Sequence, residues 1–457
     1  MNEKTNIFNK NAEKVAFDKN HRQKINFNIS QYDRAVLNGK QRYDKLEIAK
    51  QRAANIKHKT LSQLDKYLVE FETNFTRNGG KVIWARHSEE ACTQIVKLLK
   101  EEQIKKVVKS KSMTSEEIKL NEHLEKHGIQ SLETDLGEFI VQLAGEKPYH
   151  IVTPAMHKSK EDVADLYHQK FQIDAGSTPE EITAYTRSLL RDEFQQAGAG
   201  ITGANFLLAD IGGIALTENE GNGLMTMAFP KLHIVVAGIE KILPSVDDLD
   251  LFWPLLATHG TGQHMTVYNS IVTAARQKSD SSTQMVVVLL DNGRSKLLEK
   301  SRQRSALSCI RCGACLNVCP VYKNIGGYTY DTTYTGPIGS VITPHMQDMK
   351  ENKHLSFASS LCGACTEVCP VKIPLHELLL LNRAQAVSEG WTLPSERFVM
   401  KNATRVLKSR KLIDFAGSST KNLVLKYFFS SQWGNRRNLP KFAKKSFSQL
   451  WQERSGK

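Results

Sequence analysis

Eight cysteines stand in this chain of 457 residues, and seven of them fall between 309 and 369. Cys309, Cys312, Cys315 and Cys319 form C-x2-C-x2-C-x3-C, followed by Pro320. Cys362, Cys365 and Cys369 form C-x2-C-x3-C, followed by Pro370. The segments CGACLNVCPV (312–321) and CGACTEVCPV (362–371) are identical at eight of ten positions, an internal duplication at an offset of 50. Three thiolates two residues apart wrap three corners of one cubane cluster. The cysteine before proline points away, and in two-cluster ferredoxins it ligates the other cluster. Applied here, Cys309, Cys312, Cys315 and Cys369 hold cluster one, and Cys319, Cys362 and Cys365 hold cluster two. Tetrahedral zinc favours paired C-x2-C knuckles, four ligands to a metal, and does not account for this pattern. The spacing predicts two [4Fe–4S] clusters.

The second motif is one ligand short. Ser359 stands where a cysteine would complete the set. Cluster two is then either a four-iron cluster with a non-cysteine fourth ligand (Ser359, His345, His354 or water) or a [3Fe–4S] cluster. Ser359 as an ordinary loop residue is favoured over ligation. The wide separation of the motifs, with helical stretches after each, resembles the α-helical ferredoxin domains of succinate dehydrogenase iron–sulfur subunits and heterodisulfide reductase. Cys92 sits apart on an amphipathic stretch and reads as a small buried hydrophobe.

Clustered cysteines of this kind belong in a reducing compartment. No apolar run approaches the ~18 residues of a membrane span. The first residues, MNEKTNIFNKNAEK, carry no apolar core of a secretory signal, so the expected location is the cytoplasm. The formal charge of +14 suggests nucleic acid at first, but it is unevenly placed. Residues 1–60 carry a net +8 and residues 401–457 a net +12, which leaves 61–400 at −6. A mildly acidic body with two basic ends argues for docking rather than nucleic-acid binding.

Residues 1–78 read as helical, with Leu61, Leu64, Leu68, Phe71 and Phe75 at helical spacing. Residues 79–294 alternate strand and helix, which implies βαβ units and a mostly parallel sheet. Strands are expected at 81–85, around KKVVKS, at YHIVTP (149–154), and near 206–217, 232–239, 265–274 and 284–290. Helices are expected to open at Ser88, Ser115 and Pro179, and over 159–171 and 295–306. Residues 295–385 hold the cluster motifs. Residues 386–457 form a helical, basic tail with Tyr427, Phe428, Phe429, Trp433, Phe442, Phe447 and Trp451. Such a tail suits peripheral contact with an anionic membrane or docking of a partner, against the alternative of aromatics packed on the body.

Two glycine-rich stretches invite a cofactor reading. Gly198, Gly200 and Gly203 spell G-x-G-x-x-G, but a helix precedes them where the dinucleotide fingerprint needs a strand. A helix C-cap followed by turns is the better reading. In ADIGGIALTENEGNG (209–223), Glu218 and Glu220 flank the turn, a placement similar to the nucleophile turn of family I coenzyme A transferases. The plain alternative is a polar strand-end turn. His259 and His264, in HGTGQH, read as helix-capping residues.

Taken together, LADIGGIALTENEGN, THGTGQHMT, CIRCGACLNVCPVY and LCGACTEVCPVKIPLHELLL, in this order, resemble the lactate utilization protein B family, iron–sulfur subunits of a bacterial L-lactate oxidation system. The central region resembles the LUD domain, related to sugar-isomerase and coenzyme A transferase-like folds. The resemblance implies an α/β LUD-type domain, an α-helical ferredoxin domain and a helical tail. It also implies an electron carrier in the conversion of L-lactate to pyruvate, with two sister subunits and a further electron acceptor. The family's cluster ligands map onto the same seven cysteines. The rival expectation is a transferase-like enzyme using Glu218 or Glu220, with structural clusters, or a redox scaffold for other subunits.

Overall fold

The computed structural model describes residues 3–274, 284–433 and 438–456. Four helices come first: α1 (Glu3–Ala16), α2 (Lys19–Lys40), α3 (Leu46–Ser62) and α4 (Leu64–Arg77). Leu64, Leu68, Phe71 and Phe75 form the buried face of α4, as their spacing predicts.

An α/β body follows. It runs β1 (Lys81–Ala85), α5 (Ser88–Glu101), β2 (Lys106–Lys109), α6 (Met113–Glu117), α7 (Leu120–Lys126), β3 (Gln130–Glu133), α8 (Leu136–Leu143), α9 (Lys160–Phe171), α10 (Pro179–Gln196) and β4 (Ala199–Thr202). It continues through β5 (Phe206–Leu208), β6 (Gly213–Glu218), α11 (Asn222–Ala228), β7 (Leu232–Gly238), β8 (Ile242–Leu243), α12 (Leu249–Thr261), β9 (Tyr268–Thr273), β10 (Gln284–Leu290) and α13 (Arg294–Leu298).

The main sheet has six strands in the order β1-β10-β7-β4-β2-β3, and every pair is parallel. Covered on both faces, its central strands need continuous apolar runs, and LHIVVAG and MVVVLL supply them. A smaller mixed sheet, β8-β5-β6-β9, lies in the same body. The cysteine segment carries α14 (Ala314–Asn317), α15 (Pro320–Ile325), α16 (Gly336–Met346), α17 (Met349–Phe357), α18 (Ala364–Glu367) and α19 (Leu375–Ser388). One apolar core joins it to the N-terminal helices: Ile25, Ile29 and Leu61 share it with Phe252, Leu307, Cys312 and Leu378.

The chain divides into two compact units, residues 1–386 and 387–457. The second contains α20 (Pro394–Leu407), α21 (Arg410–Asp414), α22 (Ser418–Val424), α23 (Ser430–Trp433) and α24 (Phe447–Ser455). Tyr427, Phe428, Trp433, Phe442, Phe447 and Trp451 are exposed, and Phe429 is half-buried. No helix of the described residues is long and apolar enough to cross a membrane.

Several local expectations are corrected. YHIVTP is a loop, because the His150 ring accepts the Val152 N–H at 3.1 Å and the Tyr149 N–H donates to the Pro154 carbonyl. The third strand is instead the polar QSLE, paired with β2. The G-x-G-x-x-G run is not a cap and turns: Ala199–Thr202 is the fully buried strand β4. Its Gly200 is required by packing, since a Cβ there would lie 1.8 Å from the Thr226 carbonyl oxygen of α11. The expected strand at 206–217 is a hairpin, β5 and β6. The cap of α5 is His87, whose ring accepts the Glu90 N–H, rather than Ser88. The helix expected from Ser115 opens earlier, on a Ser112 cap, and breaks at Lys119 (φ 53°). The helix expected over 295–306 is α13 followed by a separate 3-10 turn, Gln303–Ser308.

Candidate iron–sulfur centre and adjoining cleft

The duplication survives as geometry. Arg311 and Leu361 both have positive φ (63° and 55°), Gly313 and Gly363 follow at 77° and 85°, and each glycine starts a four-residue helix, α14 or α18. These left-handed residues curl the chain so that successive cysteines face inward. The two copies diverge after the proline. Cys319 caps α15 directly, whereas Cys369 leads through Lys372 (φ 50°) before α19.

The electrostatic surroundings of the buried thiols fall into two groups. Cys312 feels Cys309 and Cys369, and Cys315 feels Cys309, Cys312 and Cys369. Separately, Cys319 feels Cys362, and Cys365 feels both Cys319 and Cys362. The first grouping holds four cysteines, with Cys369 arriving from the second motif. The other holds three, with Cys319 arriving from the first. Tyr330 is buried against Cys319 and Cys315, one from each set.

This donor chemistry fits iron–sulfur clusters. Burial pushes the Cys312, Cys315 and Cys319 thiols up, and Cys365 and Cys369 up to about 11. Buried, mutually repelling thiolates need a polycationic core to be held ionised. Backbone N–H groups aim at the sulfurs: Arg311 at Cys309 Sγ (3.4 Å), Tyr322 at Cys319 Sγ (3.5 Å) and Ile373 at Cys369 Sγ (3.4 Å). Such bonds tune cluster potentials.

The residues considered for the open position have other partners. The Ser359 hydroxyl accepts the Leu361 N–H at 3.1 Å. His345 Nε2 meets Asn382 Oδ1 at 2.8 Å, and His354 Nδ1 meets the Glu351 carbonyl while its ring packs on Phe8. Cys362 is exposed, and Cys92 is fully buried beside the Ile118 carbonyl.

Sequence reasoning missed the cations around the four-cysteine set. Arg311, Lys241 and Lys57 act on Cys309, Lys40 on Cys312 and Lys50 on Cys369. Lys57 is 1% exposed, donates to the Glu240 and Ile242 carbonyls, and is pushed down to about 8 by burial. Three of these lysines lie within residues 1–60, so part of the basic N-terminal segment faces inward. Glu240 is held down to about 2 despite its burial, because Arg294 and Arg311 flank it.

Beside Cys312 lies a cleft of about 620 Å³. It is lined by residues that follow β2 (Ser110, Lys111, Ser112), β3 (Asp135), β4 (Gly203, Asn205) and β7 (Lys241), with Arg311 and Cys312 as one wall. The chain leaves β2 outward to the edge strand β3 and returns to β4, which leads the opposite way. Open parallel sheets bind ligands at such a switch point, outside the carboxyl ends of the strands. Glu218 and Glu220 also line this cleft. Glu218 accepts the Gly223 and Leu224 N–H groups, so it caps α11, and burial raises its pKa. His259 bonds the Leu255 carbonyl within α12.

A switch-point α/β body continuous with a seven-cysteine segment defines the class: a LUD domain joined to an iron–sulfur dicluster domain. The LUD domain family matches residues 68–295, and the 4Fe-4S dicluster domain matches 305–373. Lactate utilization protein B of Bacillus velezensis is 44% identical over 76% of this chain and 74% of its own. That of Oceanobacillus iheyensis is 39% identical over 89% of this chain and 87% of its own. That of Bacillus pumilus is 38% identical over 87% of each. The chain belongs to the lactate utilization protein B family.

Proposed function

We propose that this chain is the iron–sulfur electron-transfer subunit of a system that oxidises L-lactate to pyruvate, so that lactate serves as carbon source. The observation that carries the reading is the seven-cysteine segment, matched by the 4Fe-4S dicluster domain and set within one compact unit, in a chain of this family. Cys309, Cys312, Cys315 and Cys369 would hold one cluster, and Cys319, Cys362 and Cys365 the other. When bound, such clusters supply one-electron transfer. The residues of the chain desolvate the thiolates, direct N–H groups at them and surround the first set with cations. The acceptor of the electron pair is assigned to one of two sister subunits. Lactate should bleach the visible absorption of the reconstituted protein only when those subunits are present. Bleaching with this chain alone would overturn the division of labour, and no bleaching with all three would overturn the function. Iron and sulfide analysis with electron paramagnetic resonance sets the second cluster: about eight irons for two cubanes, about seven with an oxidised three-iron signal otherwise.

The C-terminal unit supports peripheral docking on an anionic membrane. Its net charge over 401–457 is +12, and seven aromatic side chains among the described residues of that stretch, Phe415 with Tyr427, Phe428, Trp433, Phe442, Phe447 and Trp451, are exposed. Pelleting with anionic liposomes that is lost in high salt and on deletion of 401–457 is the expected result. Pelleting unchanged by the deletion would remove the tail from membrane docking.

A further inference from the structure

The cleft beside Cys312 has a chemistry that the electron-transfer reading leaves unused. We propose that it binds a small 2-hydroxy or 2-oxo monocarboxylate, its carboxylate on Lys241 and Arg311 and its hydroxyl or keto end toward Ser110 and Lys111. The choice of acid rests on the function proposed above; the preference for an anion rests on the cleft alone.

Lys241 is 9% exposed, lines the cleft, and has no hydrogen bond or ion pair to a described residue. Arg311 is 8% exposed and gives Nη2 to Glu240, while its Nη1 is buried without a partner. The guanidinium lies 4.4 Å from the centre of the Tyr334 ring, which fixes its plane. Glu240 and the Cys309 sulfur answer part of the charge of this pair, but Arg311 Nη1 and the Lys241 ammonium keep donors to spare that a small anion in the cleft would complete. Ser110 Oγ, also on the cleft wall, is buried without a partner as well.

The opposite side limits the ligand. Lys111 there is surrounded by Asp135, Glu138 and Glu220, and Glu218 adds a further carboxylate. A polyanion such as a nucleotide would meet this acidic side. A monoanion with a neutral, hydrogen-bonding far end matches both sides. Arg311 also ties the cleft to the first cysteine set, because its own N–H faces Cys309 Sγ. A ligand on Lys241 and Arg311 would therefore be sensed by the cluster that Cys309 and Cys312 hold.

The test uses the anaerobically reconstituted full chain without its sister subunits. L-lactate, pyruvate, propionate and malonate are titrated by calorimetry, and the reduced protein is followed by electron paramagnetic resonance. Saturable binding of L-lactate or pyruvate, tighter than propionate and malonate, is expected. Lys241→Met should weaken it at least tenfold, and Lys241→Arg should restore part of it. Ser110→Ala, away from the cysteines, should reduce the preference over propionate and serves if Lys241→Met does not fold. Binding should alter the signal of the four-cysteine cluster. Absence of binding at tens of millimolar, or binding that none of these variants changes, overturns the proposal. Lactate-driven bleaching with the sister subunits but no binding here leaves the function standing and this site refuted; binding without bleaching does the reverse.

Discussion

The two cysteine sets grow from one repeated motif and end in different surroundings. The first gathers four thiols, shares a core with the N-terminal helices, borders the cleft at the ends of β2, β4 and β7, and meets five cations. The second gathers three, leaves Cys362 exposed, and meets Lys323 through Cys319. Identity at eight of ten positions thus fixes how each loop curls but not what faces it. The environment comes from distant segments, and it is the environment that sets potential and accessibility. The comparison predicts a buried, higher-potential cluster beside the cleft and a more exposed, lower-potential one.

The largest effect expected is from Cys312→Ala. If Cys312 is a ligand of the first cluster, as proposed, this change should cost roughly four irons per chain and all lactate-driven bleaching with the sister subunits. Iron analysis and the absorption assay measure both. Retention of nearly full iron would break the assignment of the first set. Next comes the order of loss. Under a ferrous chelator or brief air exposure, the spectrum of the three-cysteine cluster should disappear first, because Cys362 is open to solvent. Simultaneous loss would contradict the contrast in access.

Lys57→Met then tests the cations. A buried positive charge favours the more negative reduced cluster, so its removal should lower the first midpoint potential. A loss of about 1.4 kcal/mol corresponds to about 60 mV for one electron, and a shift of that order is expected from a neighbouring charge at the effective dielectric of a protein. Redox titration followed by electron paramagnetic resonance reads each cluster separately. A shift of the second cluster instead would reverse the comparison.

Much of this architecture was legible in the sequence where the signal was local. KVIWA, KKVVKS and MVVVLL become β1, β2 and β10 because apolar runs bounded by charged turns have few alternatives. The iron–sulfur character of the cysteine segment was legible because its spacing and its repeat are local. Illegible features depend on distant partners. QSLE looks polar, yet it is an edge strand that needs one buried face. The glycine run around AGIT suggested a turn, yet Gly200 lets α11 rest on β4. Lys40, Lys50 and Lys57 looked like an exposed basic segment, and only the packing of α2 and α3 turns them toward the clusters. No pattern marks Lys241, since its role depends on β7 ending beside Cys309. His150 was hidden too: its ring converts an apparent strand into the loop that supports Gly313.

Ser359→Cys tests the three-cysteine set directly. It places a thiol at the position equivalent to Cys309, fifty residues earlier. Iron should rise from about seven to about eight if the second cluster lacks a corner, with loss of the three-iron signal. Unchanged iron of about eight would mean that a four-iron core is already complete there.

The smallest effect should come from Lys323→Ala. Lys323 acts on Cys319, but its side chain is about one-third exposed and paired with Asp33 at 3.2 Å. Water screens such a charge, and removing it also frees Asp33, whose negative charge remains. These effects add, so the second midpoint should fall, but by less than Lys57→Met lowers the first. Raising the salt should diminish the Lys323 effect while leaving the Lys57 effect nearly unchanged, because salt does not reach a fully buried ammonium. Equal shifts with equal salt dependence would mean that the two sets share one electrostatic environment, and the contrast between them would fail.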